Sequence, residues 1–115
     1  MIRLLILGAG GHAQVVADIA LSMARAGTAI QLVGFLDDDR SCWGQCLLGA
    51  PVLGPTQALP NCLFNAMVVG IGNNTIRRQL YLHWFGRGIQ FATLIHPAAV
   101  VAQNVTLGDG TVLCA

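Results

Sequence analysis

Apolar residues along the chain alternate between short continuous runs and longer stretches with helical spacing. Ile2–Leu7 is an aliphatic run that leads directly into glycines, which is typical of a buried strand. Over residues 12–26 apolar positions recur every three or four residues, which predicts a helix with one apolar face. Ile30–Leu36 predicts a second strand and residues 66–71 a third. A second helix is then predicted to extend to about Phe85, capped by one of two preceding asparagines.

The rest of the first 94 residues is less regular. Residues 40–60 are rich in glycine and proline, and we expect a loop, a short strand near 51–53 and one helical turn near 56–59. Residues 89–94 predict a further short strand. Strands that alternate with helices predict an α/β fold, here a small Rossmann-like parallel sheet with flanking helices. In such sheets ligands bind at the carboxyl ends of the strands.

The apolar period changes near the end of the chain. Ile95, Val101, Leu107 and Leu113 are six residues apart, and small or β-branched residues follow at fixed offsets. This period is typical of hexapeptide repeats, so we divide the chain into a Rossmann-like domain, 1–94, and the start of a left-handed parallel β-helix, 95–115. Eighteen residues make one coil, and a single coil cannot bury its own interior. We therefore expect the sequence to be a fragment of a longer protein.

Composition excludes several function classes. The net charge of +1 favours neither nucleic acid nor an anionic membrane as a partner. No apolar run approaches the roughly 20 residues of a membrane helix, and the N-terminal run is too short for a signal peptide. The four cysteines lack zinc-site spacing, so we expect free thiols, a cytoplasmic protein and no metal.

The first candidate site is the glycine loop that joins the first strand to the first helix. Gly8, Gly10 and Gly11 allow a tight turn and a close approach of the backbone to a ligand. Free amides at the start of the helix favour a phosphate or a carboxylate. His12 lies at the mouth of this loop, where it could reach a sugar, although a surface histidine is the alternative interpretation.

Two further motifs end neighbouring strands. Asp37 and Asp38 follow the second strand and could accept hydrogen bonds from a ribose or a base, whereas we interpret Asp39 as part of a solvated turn. The third strand is followed by residues that could complete a pocket, namely Gly72, Asn73, Asn74 and Arg77. The alternative interpretation is a helix cap and a surface arginine. No catalytic triad, metal cluster or pair of carboxylates can be assembled from the sequence.

Taken in order, the motifs G-A-G-G-H-A, V-G-F-L-D-D-D, V-V-G-I-G-N-N-T-I-R and L-I-H-P-A-A-V extend over almost the whole chain. The set resembles bacterial nucleotide-sugar acyltransferases related to sialic acid O-acetyltransferase and to the UDP-amino-sugar N-acetyltransferase of bacillosamine synthesis. The resemblance implies a nucleotide-sugar-binding domain, followed by a β-helix that trimerises and binds acetyl-CoA as co-substrate. It also implies that the glycine loop faces the diphosphate, His12 the sugar, and Asp37 and Asp38 the nucleoside.

In the family that the chain resembles, a histidine on a later β-helix coil acts as the general base. We therefore expect that residue beyond Ala115, together with the acetyl-CoA site, and expect the 115 residues alone to be inactive. Two alternatives remain open at this point. One is an NAD(P)-binding oxidoreductase domain, indicated by the glycine loop and the acidic end of the second strand. The other is a non-catalytic nucleotide-binding module.

Overall fold

The computed structural model describes residues 1–99 and 112–113. In these residues a mixed α/β domain is built on a five-stranded, mostly parallel sheet with two helices. The strands and helices occur in the order β1 (Ile2–Leu7), α1 (Gly11–Arg25), β2 (Ile30–Leu36), β3 (Cys46–Leu47), β4 (Ala50–Gly54), β5 (Ala66–Val69), α2 (Asn74–Phe85), β6 (Leu94–Ile95) and β7 (Val112–Leu113).

The sheet has the strand order β3-β4-β2-β1-β5. Strands β2 and β5 both pair with β1 in parallel, and β4 pairs in parallel with β2. The chain therefore leaves β1 on one side to build β2 and β4, and then crosses to the other side to build β5. This reversal places the topological switch point, where α/β folds bind ligands, at the carboxyl end of β1.

Each helix covers one face of the sheet because the strand side chains alternate in direction. Leu4 and Ile6 pack with the buried residues of α1 on one face. Leu5 and Leu7 pack on the other face with Leu80 and Trp84 of α2. The four β1 side chains named here have no solvent-accessible surface, which makes β1 the centre of the core.

The strands and helices predicted for residues 1–85 are confirmed within a residue or two, but three details were wrong or missed. Strand β3 was not predicted; it forms a hairpin with β4 through a two-residue turn at Leu48 and Gly49, both with positive φ. The helical turn expected near 56–59 is a non-helical turn. Residues 89–94 do not form a strand of the sheet, because only Phe91 makes a bridge, to Met67.

The remaining pairing lies outside the main sheet, between β6 and β7. Leu94 pairs in parallel with Val112, and Ile95 with Leu113. Most of the predicted hexapeptide region, residues 100–111 and 114–115, lies outside the described residues. Neither helix of the described chain is long and apolar enough to cross a membrane.

Candidate functional site

The switch point is formed by Gly8, the first residue after β1. Its amide donates to the Leu36 carbonyl at 2.5 Å, and the Gly70 amide donates to the Leu7 carbonyl at 2.8 Å. Gly8 has φ of +108°, and a Cβ atom there would lie 2.8 Å from Ile71 Cγ1 and 2.9 Å from the Gly70 carbonyl oxygen. Gly8 is therefore required by the fold, and it brings the loops after β1 and β5 into contact.

The two following glycines of the loop have a different environment. Gly10 is the N-cap of α1 and Gly11 its first residue, and a Cβ atom at either position would meet no atom within 4 Å. No side chain caps this helix, and its first turn carries no acidic residue. The first amides of α1 thus lie at a positive helix end beside open space, which is the environment that favours a bound anion.

Asp37 connects the end of β2 to this loop. Its Oδ2 atom accepts a hydrogen bond from the Ala9 amide at 2.8 Å, and its Oδ1 atom accepts one from the Asp39 amide at 2.9 Å. The half-buried carboxylate therefore positions the glycine loop. Each oxygen keeps a second lone pair with which it could accept a hydroxyl of a ligand.

Asp38 is exposed but also has internal partners. Its Oδ1 atom accepts hydrogen bonds from both the amide and the hydroxyl of Thr56, each at 2.9 Å. Thr56 is only 4% exposed, and its carbonyl accepts from the Trp84 indole at 2.9 Å. Hydrogen bonds from Trp84 to Thr56 and from Thr56 to Asp38 thus link the buried face of α2 to the exposed Asp38.

Asp39 caps a single 3-10 turn, Arg40–Cys42, as its carboxylate accepts from the amide and hydroxyl of Ser41. These hydrogen bonds hold the pKa of Asp39 below its ordinary value of 3.8. Burial, with the nearby charges of Asp37 and Asp39, raises the pKa of the Cys42 thiol. The interpretation of Asp39 as a turn residue agrees with this geometry.

The loop after β5 lies across the switch point from Asp37. Asn73 caps α2, because its side chain accepts from the Ile76 amide at 3.0 Å, so its amide NH2 group remains available as a donor. Gly72 faces open space, and Asn74 and Arg77 are exposed in the first turn of α2. His12 is exposed in the first turn of α1.

The structure thus places the three predicted motifs at one edge of the sheet. Asp37 is hydrogen-bonded to Ala9, and the Gly70 amide after β5 is hydrogen-bonded to the Leu7 carbonyl at the end of β1. Two nearby residues were missed by the sequence analysis, Thr56 and Trp43. No local pattern marks Thr56, whereas Trp43 could have been noticed as an aromatic residue close to the aspartates. Within residues 1–99 and 112–113, no three His, Cys, Asp or Glu side chains are grouped to hold a metal ion.

Comparison with known proteins identifies relatives of this chain. The model of the PglD N-terminal domain matches residues 3–83. UDP-N-acetylbacillosamine N-acetyltransferase of Bacillus subtilis (strain 168) is 35% identical over 116 residues, which cover 96% of this chain and 50% of that protein. The chain therefore spans about half the length of the curated relative that it matches.

Two solved structures have the same fold. The acetyltransferase domain of PglB from Neisseria gonorrhoeae is 38% identical with a TM-score of 0.77, covering 96% of this chain and 52% of that one; it is also known in complex with acetyl coenzyme A. A perosamine N-acetyltransferase from Caulobacter crescentus, in complex with CoA and GDP-perosamine, is 29% identical with a TM-score of 0.76. That match covers 98% of this chain and 51% of the Caulobacter chain.

Proposed function

Because this chain belongs to the family of PglD N-terminal domains, we propose that it is the acceptor-binding part of an acetyl-CoA-dependent sugar N-acetyltransferase. The acceptor is a nucleotide-linked amino sugar, and it binds at the carboxyl edge of the sheet. The sequence-level resemblance to nucleotide-sugar acyltransferases is confirmed by the family match. The relatives are N-acetyltransferases, so they lend no support to an oxidoreductase domain or to a non-catalytic module.

The observation that carries the proposal is the uncapped start of α1 at the switch point. Gly10 and Gly11 are not needed for packing, since a Cβ atom at either would meet nothing within 4 Å. Glycine at both positions is explained if a diphosphate approaches the backbone closely there. The acidic residues at the end of β2 would repel a phosphate, so the nucleoside, with its hydroxyl and amide donors, is the part suited to that side.

The roles of single residues follow from this orientation. Gly8, Gly10 and Gly11 shape the diphosphate site, and His12 reaches the sugar. Asp37 and Asp38 accept hydrogen bonds from the nucleoside with the lone pairs that their internal partners leave unused. The opposite wall of the pocket consists of Gly72, Asn73, Asn74 and Arg77.

The second domain is proposed on the pairing of β6 with β7. Leu94 pairs with Val112, and Ile95 with Leu113. The two residues of each pair are therefore separated in the sequence by the length of one three-sided coil of hexapeptides. This offset supports the division into residues 1–94 and 95–115, the latter as the start of a left-handed β-helix. A β-helix of this kind assembles as a trimer, and we place the enzyme in the cytoplasm, where nucleotide sugars and acetyl-CoA are available.

Acetyl-CoA is the proposed acyl donor of the whole enzyme. The PglB domain binds acetyl coenzyme A, and the Caulobacter enzyme binds CoA together with GDP-perosamine. We place the donor site and the general-base histidine outside these 115 residues. The chain by itself therefore binds the acceptor and transfers no acetyl group.

The test is a calorimetric titration of the 115-residue chain with a UDP-linked amino sugar, GDP-perosamine, acetyl-CoA and NADH. We expect one or both nucleotide sugars to bind, and neither acetyl-CoA nor NADH to do so. Tight NADH binding without binding of either nucleotide sugar would overturn the proposal. Acetyl transfer by this chain alone would overturn the placement of the donor site and the base.

A further inference from the structure

The rim beside Asp37 carries an aromatic ring that the hydrophobic core does not use. Trp43 follows the 3-10 turn and is 37% exposed. Its indole N–H donates to the backbone carbonyl of Asp37 at 2.6 Å, which anchors the ring at the carboxyl end of β2. An anchored ring loses little conformational entropy when a ligand packs against it, and the partial exposure leaves apolar surface to be covered.

Arg40 extends this surface. Its guanidinium carbon lies 5.6 Å from the centroid of the Trp43 ring, within the range of a cation–π contact. The other tryptophan of the chain has a different environment: the indole of Trp84 also donates to a backbone carbonyl, but the side chain is only 2% exposed. Trp84 thus belongs to the core, whereas Trp43 presents part of its ring to solvent.

Asp37 fixes where this ring lies relative to the glycine loop. Its carbonyl holds the Trp43 ring, while its carboxylate holds the Ala9 amide at 2.8 Å. A nucleotide sugar with its diphosphate at the start of α1 would carry its nucleoside over the end of β2. The nucleobase is then the part of the ligand nearest to Trp43.

We propose that Trp43, supported by Arg40, is the surface on which the nucleobase of the bound nucleotide sugar stacks. The inference rests on the proposed function and adds a nucleobase-binding residue to it. Stacking on an aromatic ring accepts any base, because every base has a π face. The platform therefore suits both uracil-linked and guanine-linked sugars, and selection between the two bases falls to other groups.

The test uses two variants that both remove the indole N–H. Trp43→Phe keeps a flat aromatic ring, and Trp43→Leu keeps apolar volume without one. Calorimetric titrations of UDP and GDP into the 115-residue chain should show affinity that falls about tenfold or more in the Leu variant and is largely retained in the Phe variant. Thermal melts followed by circular dichroism establish that both variants are folded.

A fluorescence measurement supplies an independent readout. The chain has two tryptophans, so Trp84→Phe leaves Trp43 as the single indole. Addition of UDP or GDP to that variant should quench its emission. Equal affinity of the Leu variant and the unaltered chain would overturn the platform but not the proposed function. Equal losses of affinity in the Phe and Leu variants would also overturn it, since Trp43 would then act through its hydrogen bond to Asp37. Failure of the unaltered chain to bind either nucleotide would overturn both proposals.

Discussion

Gly11→Ala should change the stability of the fold and its affinity for the ligand in opposite directions. A Cβ atom at this position would meet no atom within 4 Å, and the backbone is not in the left-handed region. Replacing a helical glycine with alanine under these conditions removes conformational freedom from the unfolded chain. We expect the free energy of unfolding to rise by about 0.5 kcal/mol, a shift of about 2 °C in Tm for a domain of this size.

Ligand binding should change in the opposite direction. The new methyl group would stand beside the first amides of α1, where we place the diphosphate, and would lengthen or remove a charge-assisted hydrogen bond worth about 1.5–3 kcal/mol. Affinity for a UDP-linked amino sugar should therefore fall about tenfold to a hundredfold. Urea denaturation measures the stability and calorimetry the affinity. A variant that is less stable than the unaltered chain would refute the packing argument, and a stable variant that binds as tightly would refute the location of the diphosphate.

Three further changes test the structure itself. Gly70→Ala should lower the free energy of unfolding, measured by urea denaturation, by about 1–3 kcal/mol, because the new Cβ would lie 2.8 Å from Ala13 Cα. An unchanged free energy of unfolding would contradict the close packing of α1 against the end of β5. Leu48→Asn should raise the free energy of unfolding by about 1 kcal/mol, since Leu48 has φ of +48° in a two-residue turn that favours Asn-Gly. A lower Tm in this variant would contradict the left-handed backbone at residue 48. Asp39 has a lowered pKa in the folded state, so its cap stabilises the fold above pH 3.8 and is lost as the pH falls through the folded pKa. The stability difference between the unaltered chain and Asp39→Ala should thus shrink below pH 3.8, and a difference that stays constant down to pH 3 would contradict the cap.

The central part of the fold was predictable because its physical signals are local. The aliphatic run of β1 ends in glycines, and the helical spacing after residue 12 marks the buried face of α1, so strand, loop and helix could be placed from the sequence. Asn73 was recognised as one of two candidate caps because capping depends on residues only three positions apart. The order of these segments then predicted a parallel sheet with its ligand site at the carboxyl edge.

What the sequence did not reveal depends on contacts between distant residues. The carboxylate of Asp37 bonds Ala9, 28 positions away, and that of Asp38 bonds Thr56, 18 positions away. Both aspartates were predicted as ligand contacts, and nothing near them in the sequence indicated that they also position the loops. The strand expected over 89–94 was wrong for a related reason. Its apolar residues are divided between the two cores, Ile89 and Phe91 beside α2 and Ala92 and Leu94 beside α1, and only Phe91 bridges to β5.

The measurement that tests the account most directly is an NMR titration of the ¹⁵N-labelled chain with a UDP-linked amino sugar. If the carboxyl edge holds the nucleotide sugar, the largest amide shifts should fall on Gly10, Gly11 and His12, with further shifts at Gly72 and Asn73. The amides at the opposite end of the sheet, such as Arg3 and Asn65, should not move. Shifts confined to that opposite end, or to the outer surface of α2, would contradict the central claim.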